Sequence, residues 1–138
     1  PAEEIQVTLP ANAASRKALP IFSGVLAYFP DAIAAVAELS RIGNDQHNPG
    51  QPLHWARSKS GDELDALTRH LMDAGTVDDD GVRHSTKLAW RALANLQKEL
   101  ERETGVPLSR GSRAANDERA KDEYRAPRGA QWGTPDAA

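Results

Sequence analysis

Ala89, Leu93, Leu96 and Leu100 recur at alternating spacings of four and three residues. That is the rhythm of an α-helix and of no other regular element, so it constrains this chain more than any other feature. The run that carries it, RHSTKLAWRALANLQKELERETG, predicts the longest helix, with those residues as its core face and Gly105 and Pro107 as its stop. A shorter helix is expected over SGDELDALTRHLMDAG. Leu64, Leu67 and Leu71 mark its apolar stripe, Ser60 and Glu63 read as an S-x-x-E capping box, and Gly75 ends it. A third is expected over PDAIAAVAELSRI. There Pro30 suits the first turn, Asp31 suits the positive end of the dipole, and Ala32, Ala35, Val36 and Leu39 share one side.

The segments between and around these helices differ in kind. GNDQHNPGQPLHW, residues 43 to 55, carries two prolines and two glycines among polar groups, so it reads as a long loop running on to Lys59, anchored by Trp55. TVDDDGV reads as a turn. IFSGVLAYF is apolar and aromatic and is expected to dock on the core. Ahead of it, EIQVTL is at most a weak strand in an extended arm. Beyond Leu108 the chain is polar and mixed in charge: NDERAKDEYR suits a solvated helical segment, and Trp132 suits an anchor on a neighbouring subunit. The predicted fold is all-α, a small bundle of three to four helices over residues 21–105, with an N-terminal arm over 1–20 and a polar C-terminal tail over 106–138.

Composition removes several function classes. A net charge of -3 and a pI near 5.8 argue against a general nucleic-acid binder, which needs a basic excess to neutralise phosphates. The absence of cysteine excludes disulfides and thiolate metal sites. No apolar run approaches the ~20 residues that span a bilayer, so a soluble cytoplasmic protein is expected. Ser60 and Ser85 lack the G-x-S-x-G context of a nucleophile elbow, no glycine cluster holds the lysine of a phosphate loop, and no histidine is followed by aspartate as in HD-type phosphohydrolases.

Two sets of charged residues remain as candidates. Asp62 and Asp65, three apart at a helix start with Arg69 a turn further on, can hold Mg²⁺ through oxygen, with Glu38 as a third ligand; helix N-termini attract acids for electrostatic reasons as well. Asp79 is the member of VDDDG most suited to join them, if that run is more than a turn with a helix cap. His84 opens the longest helix, and Lys87 and Arg91 follow at helical spacing, which makes a phosphate clamp. Lys98 and Arg102 read as its solvated continuation. His47, His54, His70 and His84 lack a zinc-like spacing.

The loop GNDQHNPGQPLHW, the D-A-L-x-R-H-L helix and D-G-V-R-H before a helix with A-L-A-N-L resemble the phage and prophage domain family described as dATP/dGTP diphosphohydrolase, N-terminal, over about residues 16 to 102. The resemblance implies an α-helical, MazG-like enzyme that cleaves nucleoside triphosphates to monophosphate and pyrophosphate with Mg²⁺ (or Mn²⁺), as a dimer or tetramer. The matching positions are Glu38, His47, Trp55, Asp65, Arg69, His70, Asp79, His84 and Asn95. The E-x-x-E and E-x-x-D signature is not intact: Ala34 and Ile42 stand a turn either side of Glu38, and Asp62 replaces the first glutamate of the second pair. On this reading Glu38, Asp62 and Asp65 hold the metal, Arg69, His84 and Lys87 stabilise phosphate charge, and His70 serves as acid or base. Trp55 stacks on a purine, while Asn44 and His47 read its edge; the alternative is that these groups satisfy the loop's own backbone. Two competing expectations are a non-catalytic protein that sequesters nucleotides or cyclic nucleotides, and an interaction protein acting through its arm and tail.

Overall fold

The computed structural model describes residues 9–55, 61–106 and 109, and in them the chain is all-α. Helix α1 spans Ala13–Lys17, α2 Pro30–His47, α3 Glu63–Met72 and α4 His84–Glu103, with one π-helical turn at Phe22–Leu26. The only extended pairing among the described residues is an isolated antiparallel bridge between Val77 and Arg83. Among them, no single helix is long and apolar enough to cross a membrane.

Helix α4 is the hub. Helix α3 lies antiparallel to it, because Glu63 at the start of α3 reaches Lys98 late in α4 while His70 near the end of α3 meets His84 at the start of α4. Helix α2 packs on α4 as well, where Trp90 Nε1 donates to Ser40 Oγ at 2.9 Å. The seams are built from small and polar residues. Among the described residues, Ala66, Val82 and Ala94 are the buried hydrophobics, joined by Asn44, Glu63 and Glu101.

That arrangement corrects the expected core. Leu93, Leu96 and Leu100 are exposed, and at 100° per residue they lie on the side of α4 turned away from Ala94 and Glu101. Leu64 and Leu71 are exposed too, with only Leu67 half-buried. A helical period fixes that one face is apolar, but not that this face meets the same chain. Here the polar side of α4 turns inward and the leucines turn out. The IFSGVLAYF segment likewise does not dock on this chain's core: Phe22 is 72% and Tyr28 73% exposed.

Three boundaries also move. Residues 43–47 are helical, so α2 runs past Ile42 to His47. Arg41 pairs with Glu38 at 3.0 Å and Asp45 at 3.2 Å one turn either side, which supports continuation. The helix stops where Pro49 disfavours helical geometry at Asn48 and Gly50 adopts φ 75°. Helix α3 begins at Glu63 with Asp62 as N-cap, and the Glu63 carboxylate bonds Lys98 across the seam. Within the expected arm, residues 13–17 are helical because Asn12 Oδ1 accepts from the N–H groups of Ala14 and Ser15. The expectations for residues 4–8, Ser60, Pro107, NDERAKDEYR and Trp132 lie outside the described residues.

Candidate functional site

A pocket of about 620 Å³ opens between the C-terminal half of α2, the loop after it and the inward face of α4. Its polar and aromatic walls come from His47, His54, Trp55, His70, Lys87, Trp90 and Arg91. This volume falls in the range of small-molecule sites, roughly 300–1,000 Å³.

One side chain shapes the loop wall. Buried Asn44 donates from Nδ2 to the Gln51 carbonyl at 2.9 Å and accepts at Oδ1 from the His54 N–H at 3.2 Å. Both ends of its amide are thus used to hold residues 51–54 against the end of α2. This sets Trp55, whose ring meets Trp90 edge-on at 5.0 Å and 84°, with Lys98 Nζ 5.6 Å from its centroid. The anchoring expected of Trp55 is met.

The other wall rests on the turn between α3 and α4. The Asp78 N–H donates to the Val82 carbonyl and the Gly81 N–H to the Asp78 carbonyl, each at 2.9 Å. Asp78 and Asp80 each accept from Lys87 Nζ at 2.7 Å, while the Asp79 and Val82 N–H groups donate to the same two carboxylates. The Lys87 bond, reinforced by the Asp79 N–H, brings the Asp78 carboxyl down to about 2. Lys87 bonding lowers Asp80 as well. Burial alone lowers the Lys87 ammonium, but the two aspartates outweigh it and its pKa is raised. Above this triad His70 Nδ1 faces His84 Nδ1 at 3.0 Å. Burial first, and then the neighbouring His84 and Lys87, hold His70 below its ordinary value, so its neutral form is favoured.

A family model described as dATP/dGTP diphosphohydrolase, N-terminal, matches residues 11–106. The chain belongs to this family. The match takes in all four helices and the whole pocket, so the site lies within what defines a dATP/dGTP diphosphohydrolase N-terminal domain. No curated protein and no solved structure matches the chain.

In this member of the family the pocket gathers His47, Trp55, His70, Lys87 and Arg91, with His84 directly against His70. Other expected site residues lie apart. Asn44 serves the loop backbone. Asn95 donates to Glu99 Oε1 at 2.9 Å along α4 and does not line the pocket. Arg69 is exposed and bonds Asp62 at 3.2 Å, which holds the Asp62 carboxyl below its usual range. Glu38 pairs with Arg41 and is 62% exposed. Asp65 and Asp79 are exposed and line no wall. Among the described residues, the metal-ligating side chains that come together as a group of three are His70, Asp78 and His84, and not Glu38, Asp62, Asp65 and Asp79. Lys87 is also not a bare phosphate clamp, since its ammonium is held by two aspartates.

Sequence reasoning overlooked His54, Asp78, Asp80 and Trp90. The signal for Trp90 was its place beside Arg91 on the face of α4 away from the leucines. For the aspartates it was their two-residue spacing, which turns both to one side of a turn and leaves Asp79 at the tip.

Proposed function

We propose that this domain binds purine deoxynucleoside triphosphates in the pocket and hydrolyses them to monophosphate and pyrophosphate. The observation that carries the reading is the inward face of α4, which sets Trp90 and Arg91 against Trp55, His47 and His54 in a nucleotide-sized space, within a dATP/dGTP diphosphohydrolase family match. The two indoles offer an apolar wall for a base, and His47 and His54 offer hydrogen-bonding edges to it. Arg91, with one guanidinium nitrogen 3.8 Å from the Glu63 carboxylate, also lines the pocket, and its planar donors suit phosphate oxygens. His70 closes the same wall as a neutral group. In this reading Mg²⁺ or Mn²⁺ arrives with the triphosphate rather than on Glu38, Asp62, Asp65 and Asp79. The outward leucines of α4 support a homo-oligomer, a dimer or tetramer, in which a second copy covers them.

Incubation with each deoxynucleoside and ribonucleoside triphosphate, with Mg²⁺, Mn²⁺ or EDTA, and separation of the products tests this. The expected result is metal-dependent release of dAMP or dGMP with pyrophosphate. Release of inorganic phosphate and a diphosphate instead would contradict the reaction assigned.

One observation favours a second reading. Because none of the carboxylates expected to hold Mg²⁺ is among the residues that line it, the pocket also suits a nucleotide-binding protein without turnover. Purine nucleotide bound in EDTA, with no product formed under any metal, is the result that selects it.

A further inference from the structure

We propose that His70, Asp78 and His84 form a site for one divalent ion of the zinc or cobalt class. The three residues come from separate, well-fixed places: the last turns of α3, the hydrogen-bonded turn after it, and the first residue of α4. One ligand atom from each lies within 4.8 Å of the others, and all three residues are half-buried. The two Nδ1 atoms lie 3.0 Å apart. An ion bonded to both at ~2.0–2.1 Å in tetrahedral geometry holds its nitrogens ~3.3–3.4 Å apart, so a small turn of the imidazoles admits it.

The donor set selects the ion. Mg²⁺ takes oxygen ligands and keeps its waters, whereas two imidazoles with one carboxylate suit borderline transition ions. Asp78 Oδ1 already accepts from the Asp79 N–H and Oδ2 from Lys87, and such outer contacts fix a ligating carboxylate in place. Asp78 and Asp80 share a single ammonium, Lys87, so the carboxylate that ligates is not neutralised by a cation of its own. Two imidazoles and one carboxylate leave coordination positions open, and His70 also lines the pocket, so an ion here has access to an oxygen ligand from it. The proposal stands on this cluster alone and does not require that the pocket hydrolyse nucleotides.

The test uses the full chain, stripped with EDTA, without nucleotide, and titrated with Co²⁺ while the visible absorption of the bound ion is recorded. One Co²⁺ per chain is expected, displaced by Zn²⁺ and not by an equal concentration of Mg²⁺. Its affinity falls at least about tenfold in His70→Gln, His84→Gln and Asp78→Asn, and is unchanged in Asp79→Asn. Far-UV circular dichroism identifies any variant that fails to fold, and the remaining ones carry the test. No bound Co²⁺, or binding that persists in folded His70→Gln and His84→Gln, would overturn the site and leave a plain histidine–histidine hydrogen bond.

Discussion

Glu63 and Lys98, 35 residues apart in sequence, meet at 3.0 Å in the seam between α3 and α4, where the glutamate side chain is only 7% exposed. Arg91 approaches the other oxygen of that carboxylate at 3.8 Å, so one buried acid ties two cations of α4 to the first turn of α3. Removing the acid leaves two partly buried cations without it. Because Lys98 and Arg91 keep some access to water, the expected cost of Glu63→Ala lies below that of a fully buried pair, at about 1–3 kcal/mol. Urea unfolding of the parent and the variant measures it.

Asn44→Ala should cost about 1–2 kcal/mol, because it strips a buried amide that satisfies both the Gln51 carbonyl and the His54 N–H. The helices should survive while the loop loosens. A red shift of tryptophan emission with an unchanged far-UV spectrum is the expected signature, since Trp55 follows directly on this staple.

The pH dependence of stability should show His70. Its pKa is lowered on folding by burial first, then by His84, Lys87 and Arg91, against the opposing pull of Asp78. The folded state therefore binds fewer protons than the unfolded chain just below the ordinary value of 6.5. The stability due to a neutral His70 is fully present above that value and is lost as pH falls towards the lowered one. Melting temperatures from about pH 8 to about pH 5 should fall more steeply for the parent than for His70→Gln.

The outward leucines predict self-association. Each Leu side chain fully buried contributes about 1.5–3 kcal/mol, and Leu93, Leu96 and Leu100 form one stripe that this chain leaves in water. Light scattering should give a multiple of 14.9 kDa for the parent and the single-chain mass for Leu93→Ser combined with Leu96→Ser. A monomeric parent at tens of micromolar would remove the second copy from the account.

The existence of α2, α3 and α4 was legible, because periodicity, Pro30 with Asp31, and the glycines at 75 and 105 are local signals; α1, set by the Asn12 cap within the expected arm, was not. Which face packs was not: the leucine period of α4 carries no information about whether its partner is the same chain. The continuation of α2 to His47 rests on the Arg41 pairs with Glu38 and Asp45, which compete with the loop-like composition of GNDQHNPG. At the site, His47, Trp55 and His70 were found as polar or aromatic groups in unusual places, and Arg91 by its helical spacing from His84 and Lys87. The meeting of His70 with His84, and of Lys87 with Asp78 and Asp80, depends on how the turn after α3 folds back, and no spacing encodes that.

The central claim is that the pocket against α4 holds a purine nucleotide, and calorimetric titration with non-hydrolysable dATP and dGTP analogues tests it most directly. The account predicts saturable binding of one nucleotide per pocket, weakened at least about tenfold by Arg91→Ala, which removes a charge-assisted contact, and by Trp55→Ala, which removes the aromatic wall. Arg69→Ala, on the exposed side of α3, should leave the affinity as it is. Binding that is undiminished in both folded pocket variants would contradict it.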